Sequence, residues 1–388
     1  MHIHNDEWII TAAEIEAVLA RAQCSQGPLA VLPSIPNQDA AKNENTESGQ
    51  KPSSSDGSDN ELLSACICVL ANPERVVRMH SNVADSSVSR SIMATGAALP
   101  GVWVTITGSA EPFRISMRSD PELRFLVSDM LSAETTYSPS LISCGLSTEA
   151  VLVLMACLDQ SRRSWLVSML KHLEPISIFS VEDINFCLSE GKIEDFRWTL
   201  PLVDKLLPIP IDEMAFRADP RPALMELVGA GLIETINEET NVFDWTEAGR
   251  VLAEGNRQAA ARLVLAHSFL LPDDDIAHEI MLLTRTPLDI FLIMVSGADA
   301  SLITMLPGDI DSLLEQVFAA PFAQNSEPET DDSEAAASET SAAVQAEPIA
   351  PSASSTAEAI PTKRFCTQCG EQLMAGAKFC LKCGTPVN

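Results

Sequence analysis

Trp8-Ile9-Ile10-Thr11-Ala12-Ala13-Glu14-Ile15 near the start of the chain has a counterpart in Ile178-Phe179-Ser180-Val181-Glu182-Asp183-Ile184. In each, a short apolar run with strand character leads into a hydroxyl residue followed three positions later by an acid. That is a capping box: the hydroxyl accepts from the third helical amide, and the acid side chain reaches back to the cap amide. Apolar positions then recur at helical spacing, Ile15, Val18 and Leu19 in the first copy and Ile184 and Leu188 in the second. A strand turning into a capped helix, met twice, predicts a body made of two related halves.

The elements that follow keep the same order. After the first capped helix, a helix through Leu62, Leu63, Cys66 and Val69 stops at Asn72-Pro73, because the residue before a proline avoids helical dihedrals. Strands are predicted at 75–80, 102–107 and 113–117, with the Gly108-to-Pro112 turn between the last two. Asp120 then caps a helix with Pro121 at its first position, through Leu123, Leu126 and Met130. In the second half a helix through Ala260, Leu263 and Val264 stops near Leu271-Pro272. Strands follow at 278–283, 290–295 and 302–305, and Asp309 caps a helix through Leu313, Leu314 and Val317. The predicted class is α+β: two related halves, each with a small antiparallel sheet and packed helices, joined by internal duplication.

The halves span 1–140 and 175–323, with a helical connector over 141–174. Its pattern from Ser147 to Leu173 is apolar at first and amphipathic around Arg162, Arg163, Trp165 and Met169. The second half carries an extra piece over 221–255, ordered helix, strand, turn, strand and helix, like a winged-helix fragment. As a DNA reader this piece fails on charge, with Arg221 and Arg250 facing seven acids. It is read as structural. Residues 37–60 have no aromatic or branched aliphatic side chain, so they cannot bury enough to offset the entropy of ordering, and a disordered insertion is expected.

Formal net charge is −29, from 25 Lys and Arg against 54 Asp and Glu. Sequence-independent nucleic-acid binding rests on neutralising phosphates with cations, and anionic membranes attract the same groups. Both are disfavoured, and a protein partner fits better. Apolar residues make up 46% of the chain, enough for real cores, yet no run reaches the ~18 apolar residues of a bilayer span. The first residues lack a basic then apolar leader pattern. Cys66, Cys68, Cys144, Cys157 and Cys187 sit in apolar surroundings as free core thiols, Cys24 borders a polar loop as another inert thiol, and a reducing cytoplasm is expected.

Residues 324–362 are mostly Ala, Ser, Glu and Pro, with eight acids and no base, which predicts a disordered acidic linker with a reach of roughly 30–40 Å. Over 363–388, Cys366, Cys369, Cys380 and Cys383 form two Cys-x-x-Cys pairs, each followed by a glycine, Gly370 or Gly384, that allows positive φ. Four thiolates close a tetrahedral shell around one structural zinc and leave no position open for chemistry. This stretch resembles the small zinc-ribbon module found at the ends of many bacterial proteins.

Catalytic signatures are missing: no phosphate loop, dinucleotide fingerprint, Gly-x-Ser-x-Gly elbow or His-Glu-x-x-His occurs. The histidines at 2, 4, 80, 172, 267 and 278 are scattered. His278 and Glu279 are neighbours on a strand and face opposite ways. The Asp273-Asp274-Asp275 run reads as a solvated loop. No enzyme is expected.

The body resembles the EspG-type chaperones of ESX (type VII) secretion. The resemblance is carried by Trp8 to Leu19, by the Val69-Leu-Ala-Asn-Pro-Glu-Arg-Val76 passage from helix to strand, and by the strand pairs of Trp103 and Phe291 that lead to Asp120 and Asp309. It covers about residues 5–320. It implies a cytosolic protein of two quasi-symmetric halves that binds the helical tip of a secretion substrate and keeps it soluble. The zinc ribbon and acidic linker depart from that plan, and no binding residue carries over. The expected function is a non-catalytic adaptor or chaperone for a helical protein partner, with the tethered ribbon as a second contact. The alternative is a transcription-linked regulator using the winged-helix-like piece and the ribbon.

Overall fold

A computed structural model describes residues 7–32 and 57–319, apart from 85–86, 109–110, 136, 138–139, 194, 238, 240 and 272–274, together with the backbone of 364–365 and 372–373. The chain divides into two units, 1–325 and 326–388. The acidic linker, the four ribbon cysteines, His2, His4, Asp273, Asp274 and most of the 37–60 insertion lie outside the described residues. The second unit contributes one described strand pair, β14 (Arg364–Phe365) with β15 (Gln372–Leu373).

The first unit is built on one antiparallel sheet. Its strands are β1 (Glu7–Ile10), β2 (Arg75–Val83), β3 (Ser87–Thr95), β4 (Trp103–Thr107), β5 (Phe113–Arg118), β6 (Ser143–Ser147), β10 (Ala261–Leu270), β11 (Ile276–Arg285), β12 (Ile290–Ser296) and β13 (Asp299–Met305). They lie side by side in the order β1-β5-β4-β3-β2-β10-β11-β12-β13-β6. The α+β class holds, with antiparallel sheet and packed helices. The two sheets expected for the two halves are a single sheet, because β2 and β10 pair antiparallel from Val83 opposite Ala261 to Arg75 opposite Phe269. Residues 261–266, expected as helix, belong to β10. This strand lies at the middle of the sheet and is buried on both faces from Ala261 to Ser268, which erases the alternation that marks a half-exposed strand. Strand β3 was not anticipated, since its Ser-Val-Ser-Arg-Ser start reads as loop.

One face of the sheet is covered by α3 (Asp120–Leu131) and α9 (Pro307–Phe318). Val77, Met79, Leu263, Leu265, Met281 and Leu283 from the strands meet Leu123, Val127, Ile310 and Leu314 from these helices. Side chains alternate along each strand, so the intervening residues feed the other face. There the cover differs between the halves. The first is closed by α1 (Ala12–Ala22) and α2 (Gly57–Ala71), over Val76, Val104, Ile106 and Ile115. The second is closed by α4 (Thr148–Lys171), α5 (Val181–Glu190), α6 (Thr199–Asp204), α7 (Arg221–Gly229) and α8 (Glu247–Arg257), over Val264, Ala266, Ile280 and Leu282.

The capping boxes form as read: Glu14 N donates to Thr11 Oγ1 at 3.3 Å, and Asp183 N to Ser180 Oγ at 3.2 Å. Asp120 and Asp309 lie inside their helices rather than at the cap. Ser119 is the cap of α3, and its amide donates to Glu122 at 2.8 Å. The amide of Leu306 donates to Asp309 at 3.1 Å. Residues 141–174, expected as a connector, supply more than a link. Strand β6 is the sheet edge opposite β1, and the first half of α4, from Ala150 to Leu158, is buried all round. The strand after it, β7 (Phe179–Ser180), pairs with β9 (Val242–Trp245) in a separate sheet ordered β7-β9-β8, where β8 is Ile233–Asn237. The winged-helix-like order of helix, two strands and helix is present, and Phe179 packs it onto the body against Phe243 and Trp245.

One expectation about cysteine is overturned. Cys24 and Cys68 are joined as a disulfide with their Cα atoms 5.6 Å apart, where two free thiols were expected. Gln23 ends α1 in the left-handed conformation, and the turn brings Cys24 back over α2. Cys66, Cys144, Cys157 and Cys187 are free. Burial pushes the thiols of Cys66 and Cys187 up to about 12, so both are inert.

Candidate functional site

Two features of the second half stand out, one at each end of α4. The first is an apolar ridge. Where α4 runs past the body, Leu166, Met169 and Leu170 share one helical face and stay exposed, Leu170 at 82%, and Leu173, just past the helix end, is exposed as well. Ile176 and Ile178 continue the exposed apolar surface along the segment that follows. The helix ends with His172 in the left-handed conformation, and the Leu173 amide donates to the Ser168 carbonyl at 2.9 Å. This half of α4 is held by cation–π contacts. Arg163 stacks on Phe186 and Trp198, and Arg257 on Trp165. The sequence pattern anticipated the amphipathic stretch, but not that its apolar side would face outward.

The second feature is a cleft of about 770 Å³ beside the N-terminal end of α4. Thr148, Glu149 and the Ser296–Ala298 turn make one wall, and the 207–215 segment makes the other. Ile276 to Ile280 of β11 and Val295 of β12 form the floor. The α4 N-terminus is already satisfied. Ala150 N donates to Ser147 Oγ, and Ser147 N and Oγ donate to Glu226 at 2.6 and 2.7 Å.

His278 sits in this floor in an arrangement that looks catalytic. The Ser268 hydroxyl is 2.9 Å from its Nδ1. Its Nε2 is 3.1 Å from the Leu206 carbonyl, which only accepts, so Nε2 carries the proton and Nδ1 accepts from Ser268. Ser268 is 3% exposed and no carboxylate orients the imidazole, so nothing can reach the hydroxyl. Burial lowers the basicity of His278 and keeps it neutral. Across the sheet from it, Glu279 faces His267, whose Nδ1 is 3.9 Å away, and this contact holds the carboxyl below its usual range. The two neighbours point to opposite faces, as the strand period required. His80 bonds the Leu202 carbonyl at 3.2 Å and stacks on Phe196. His172 caps α4. His278 and His80 pin segments to the sheet.

Asp159 is the most buried acid with a clear task. Its two oxygens accept from the amides of Thr199 and Leu200, both at 2.9 Å, which seats the N-terminus of α6. Burial raises its pKa against those bonds and the nearby Arg262 guanidinium. It is a structural cap that sequence reading missed, because the acid and the amides it serves are far apart in the chain.

Among the described residues, no group of three His, Cys, Asp or Glu side chains is placed to hold a metal, and no helix is long and apolar enough to cross a membrane. Cys366, Cys369, Cys380 and Cys383 fall in the second unit, outside the described residues. The donor set there, four soft thiolates in paired spacing, fits zinc.

Residues 365–387 match the zinc-ribbon domain family. No curated protein matches the chain. Among solved structures, the chain is similar to the type VII secretion system chaperone EspG5 of Mycobacterium tuberculosis, determined in complex with a PE25–PPE41 dimer. The identity is 12% and the TM-score 0.37, with 81% of this chain and 97% of that chain covered. The chain thus carries a zinc-ribbon domain at residues 365–387.

Proposed function

We propose that the protein is a non-catalytic cytosolic adaptor or chaperone that binds a helical protein partner, such as a type VII secretion substrate, through its second half. The observation that carries this reading is the ridge at the end of α4. Exposed apolar surface of this kind marks a site that another protein covers, and Leu166, Met169 and Leu170 offer it in the spacing by which one helix packs on another, with Leu173 exposed just beyond the helix end. The ribbon at 363–388 holds one structural zinc on Cys366, Cys369, Cys380 and Cys383 and adds a second contact on its acidic tether. Two modest contacts joined by a linker bind more tightly than either alone. The reading includes neither nucleic-acid binding nor membrane insertion, and it takes the two halves as an internal duplication.

The test is affinity purification of the tagged protein from its own cells, with mass spectrometry of what accompanies it, repeated with Leu170→Asp and with residues 324–388 deleted. A helical protein lost on Leu170→Asp and weakened by the deletion supports the reading. Polymerase subunits or DNA would overturn it in favour of a transcription-linked regulator. Zinc analysis of Cys366→Ser should show the metal lost while the thermal transition of the body is unchanged.

A further inference from the structure

The cleft beside the N-terminal end of α4 has a chemistry of its own. Its lining carries the carboxylates of Glu149 and Glu213, with that of Glu279 turned to the other face of the sheet, and no Lys or Arg. Smaller hollows on the same body do contain bases, Arg163 in one and Lys192 and Lys205 in another, so this polarity is local and not only the overall charge repeated. The remaining lining is mainly aliphatic, and Ile209 and Ile276, about half exposed, stand at the rim. An anion finds nothing here: the amides of the α4 N-terminus are capped, and His278 is neutral. An apolar body with a cationic group does.

The backbone decides the form of that ligand. The floor strand β11 is hydrogen-bonded to β10 along its whole length and to β12 from Glu279 onward, which leaves only Ile276–His278 with no strand beside them, too short a stretch to hold an extended peptide as a further strand. A helix satisfies its own amides and carbonyls and needs only side-chain pockets. The trough is open at its rim, which suits a row of side chains better than an enclosed small molecule.

We infer that this cleft is a docking groove for a short amphipathic helix of a partner protein, with aliphatic side chains entering between Ile209 and Ile276 and a flanking Lys or Arg reaching Glu149 and Glu213. This goes beyond the adaptor reading and depends neither on the ridge at the other end of α4, roughly 30 Å away along the helix, nor on the ribbon.

The probe is a synthetic helical peptide of about 18 residues, long enough to hold helix in isolation, with Leu on one face and Lys beside it. A twin has Glu in place of every Lys. Binding to the full-length protein is followed by fluorescence anisotropy. The Leu/Lys peptide should bind, and the Leu/Glu twin should bind at least tenfold more weakly. Ala215→Trp fills the groove without changing charge and should abolish binding. Glu149→Gln with Glu213→Gln should weaken it about fivefold, the scale of two partly exposed ion pairs, and added salt should shrink that difference. Leu170→Asp should leave peptide binding unchanged, with the thermal transition of every variant confirming its fold. Equal binding to Ala215→Trp and wild type would overturn the inference, because the peptide would then be held by the acidic surface at large. Equal binding of the two peptides would overturn it as well. The partner lost on Leu170→Asp in the purification test is a separate readout, so the ridge and the groove can fail independently.

Discussion

The two ends of the sheet make the same start and then part. At one end β1 leads through Thr11 into α1; at the other β6 leads through Ser147 into α4. Helix α1 has 11 residues, turns back at Cys24 and closes over α2. Helix α4 has 24 residues, fills the core with its first half and carries an apolar face into solvent with its second. On the opposite face, α3 and α9 pack side by side as matched covers. One face therefore holds the halves together, while the other is shut tight over the first half and built outward over the second. The ridge and the cleft both lie where α4 to α8 cover the second half.

The most severe way to break the comparison is to separate the halves. Trp103 comes from β4 in the first half and is 1% exposed. Its Nε1 donates to the Phe318 carbonyl at the end of α9, at 3.1 Å, and its ring meets Phe318 edge-on at 5.4 Å. Trp103→Ala should cost about 3–5 kcal/mol, measured by denaturant unfolding, and should lower both halves in one transition. Two transitions, with only the first half affected, would show that the shared sheet does not couple them. Phe318→Leu should cost less, because the carbonyl that accepts from Trp103 stays in place.

Next in size is the closure of the first half. The Cys24–Cys68 bond spans 44 residues of chain, and a loop of that length stabilises by about 2–4 kcal/mol through the unfolded state. Cys24→Ser should remove this under oxidising conditions and change nothing in excess dithiothreitol. Hydrogen exchange should localise the loss to α1 and α2. A protein equally stable with and without reductant would mean that the two sulfurs rest as thiols, as expected for the cytoplasm proposed above.

Smaller, and more direct as a comparison, is the pair of caps. Thr11→Ala removes a hydroxyl that serves only its own helix, and should cost about 1 kcal/mol. Ser147→Ala also removes one of the two bonds to Glu226, which accepts from both Ser147 N and Oγ and so ties α7 to the start of α4. It should cost more, about 1–2 kcal/mol. Equal costs would mean that Glu226 finds water instead, and that α7 is not anchored there.

This pair also shows what could be read in advance. The capping boxes at Thr11 and Ser180, the helix breaks before Pro73 and Pro175 and most strands were legible, because each is fixed by residues a few positions apart. The placing of the repeat was not. Ser180 has the same local chemistry as Thr11, so the strand and helix at 179–190 were matched to 8–19. Topologically, the place opposite β1 belongs to β6, whose Ser-Cys-Gly-Leu-Ser carries almost no strand signal and is held by pairing with β13. The same limit hid β10 and joined two expected sheets into one, since pairing between strands from different halves leaves no local trace. The zinc-ribbon domain was legible because a metal shell is written in spacing, and residues 365–387 match that family. The cleft was not, because its carboxylates come from α4 and the 207–215 segment and its floor from β11, and only the fold brings them together.

The smallest expected effect concerns the floor of that cleft. His278 is held neutral first by burial, with Arg78 and His267 adding to the effect, while the Leu206 carbonyl and Glu279 oppose it. Its folded pKa thus lies below the ordinary value of 6.5, and the unfolded chain binds the proton more readily. The stabilisation is complete above about 6.5 and is lost as pH falls through the lower, folded pKa. Acidification should therefore loosen the Leu206–Met214 segment that His278 pins over β11, and with it one wall of the groove. His278→Gln can keep both contacts, accepting from Ser268 and donating to Leu206, but does not titrate. Urea unfolding between pH 7.5 and 5.5 should show a fall in wild-type stability that is shallower in the variant. Glu279 is common to both proteins and its carboxyl is held below the usual range, so its own loss comes at more acidic pH and leaves the difference between them intact. Parallel curves would mean that protonated His278 swings out to water without disturbing the wall. In that case the second half, unlike the first, would have a cover that tolerates rearrangement at the place where a partner docks.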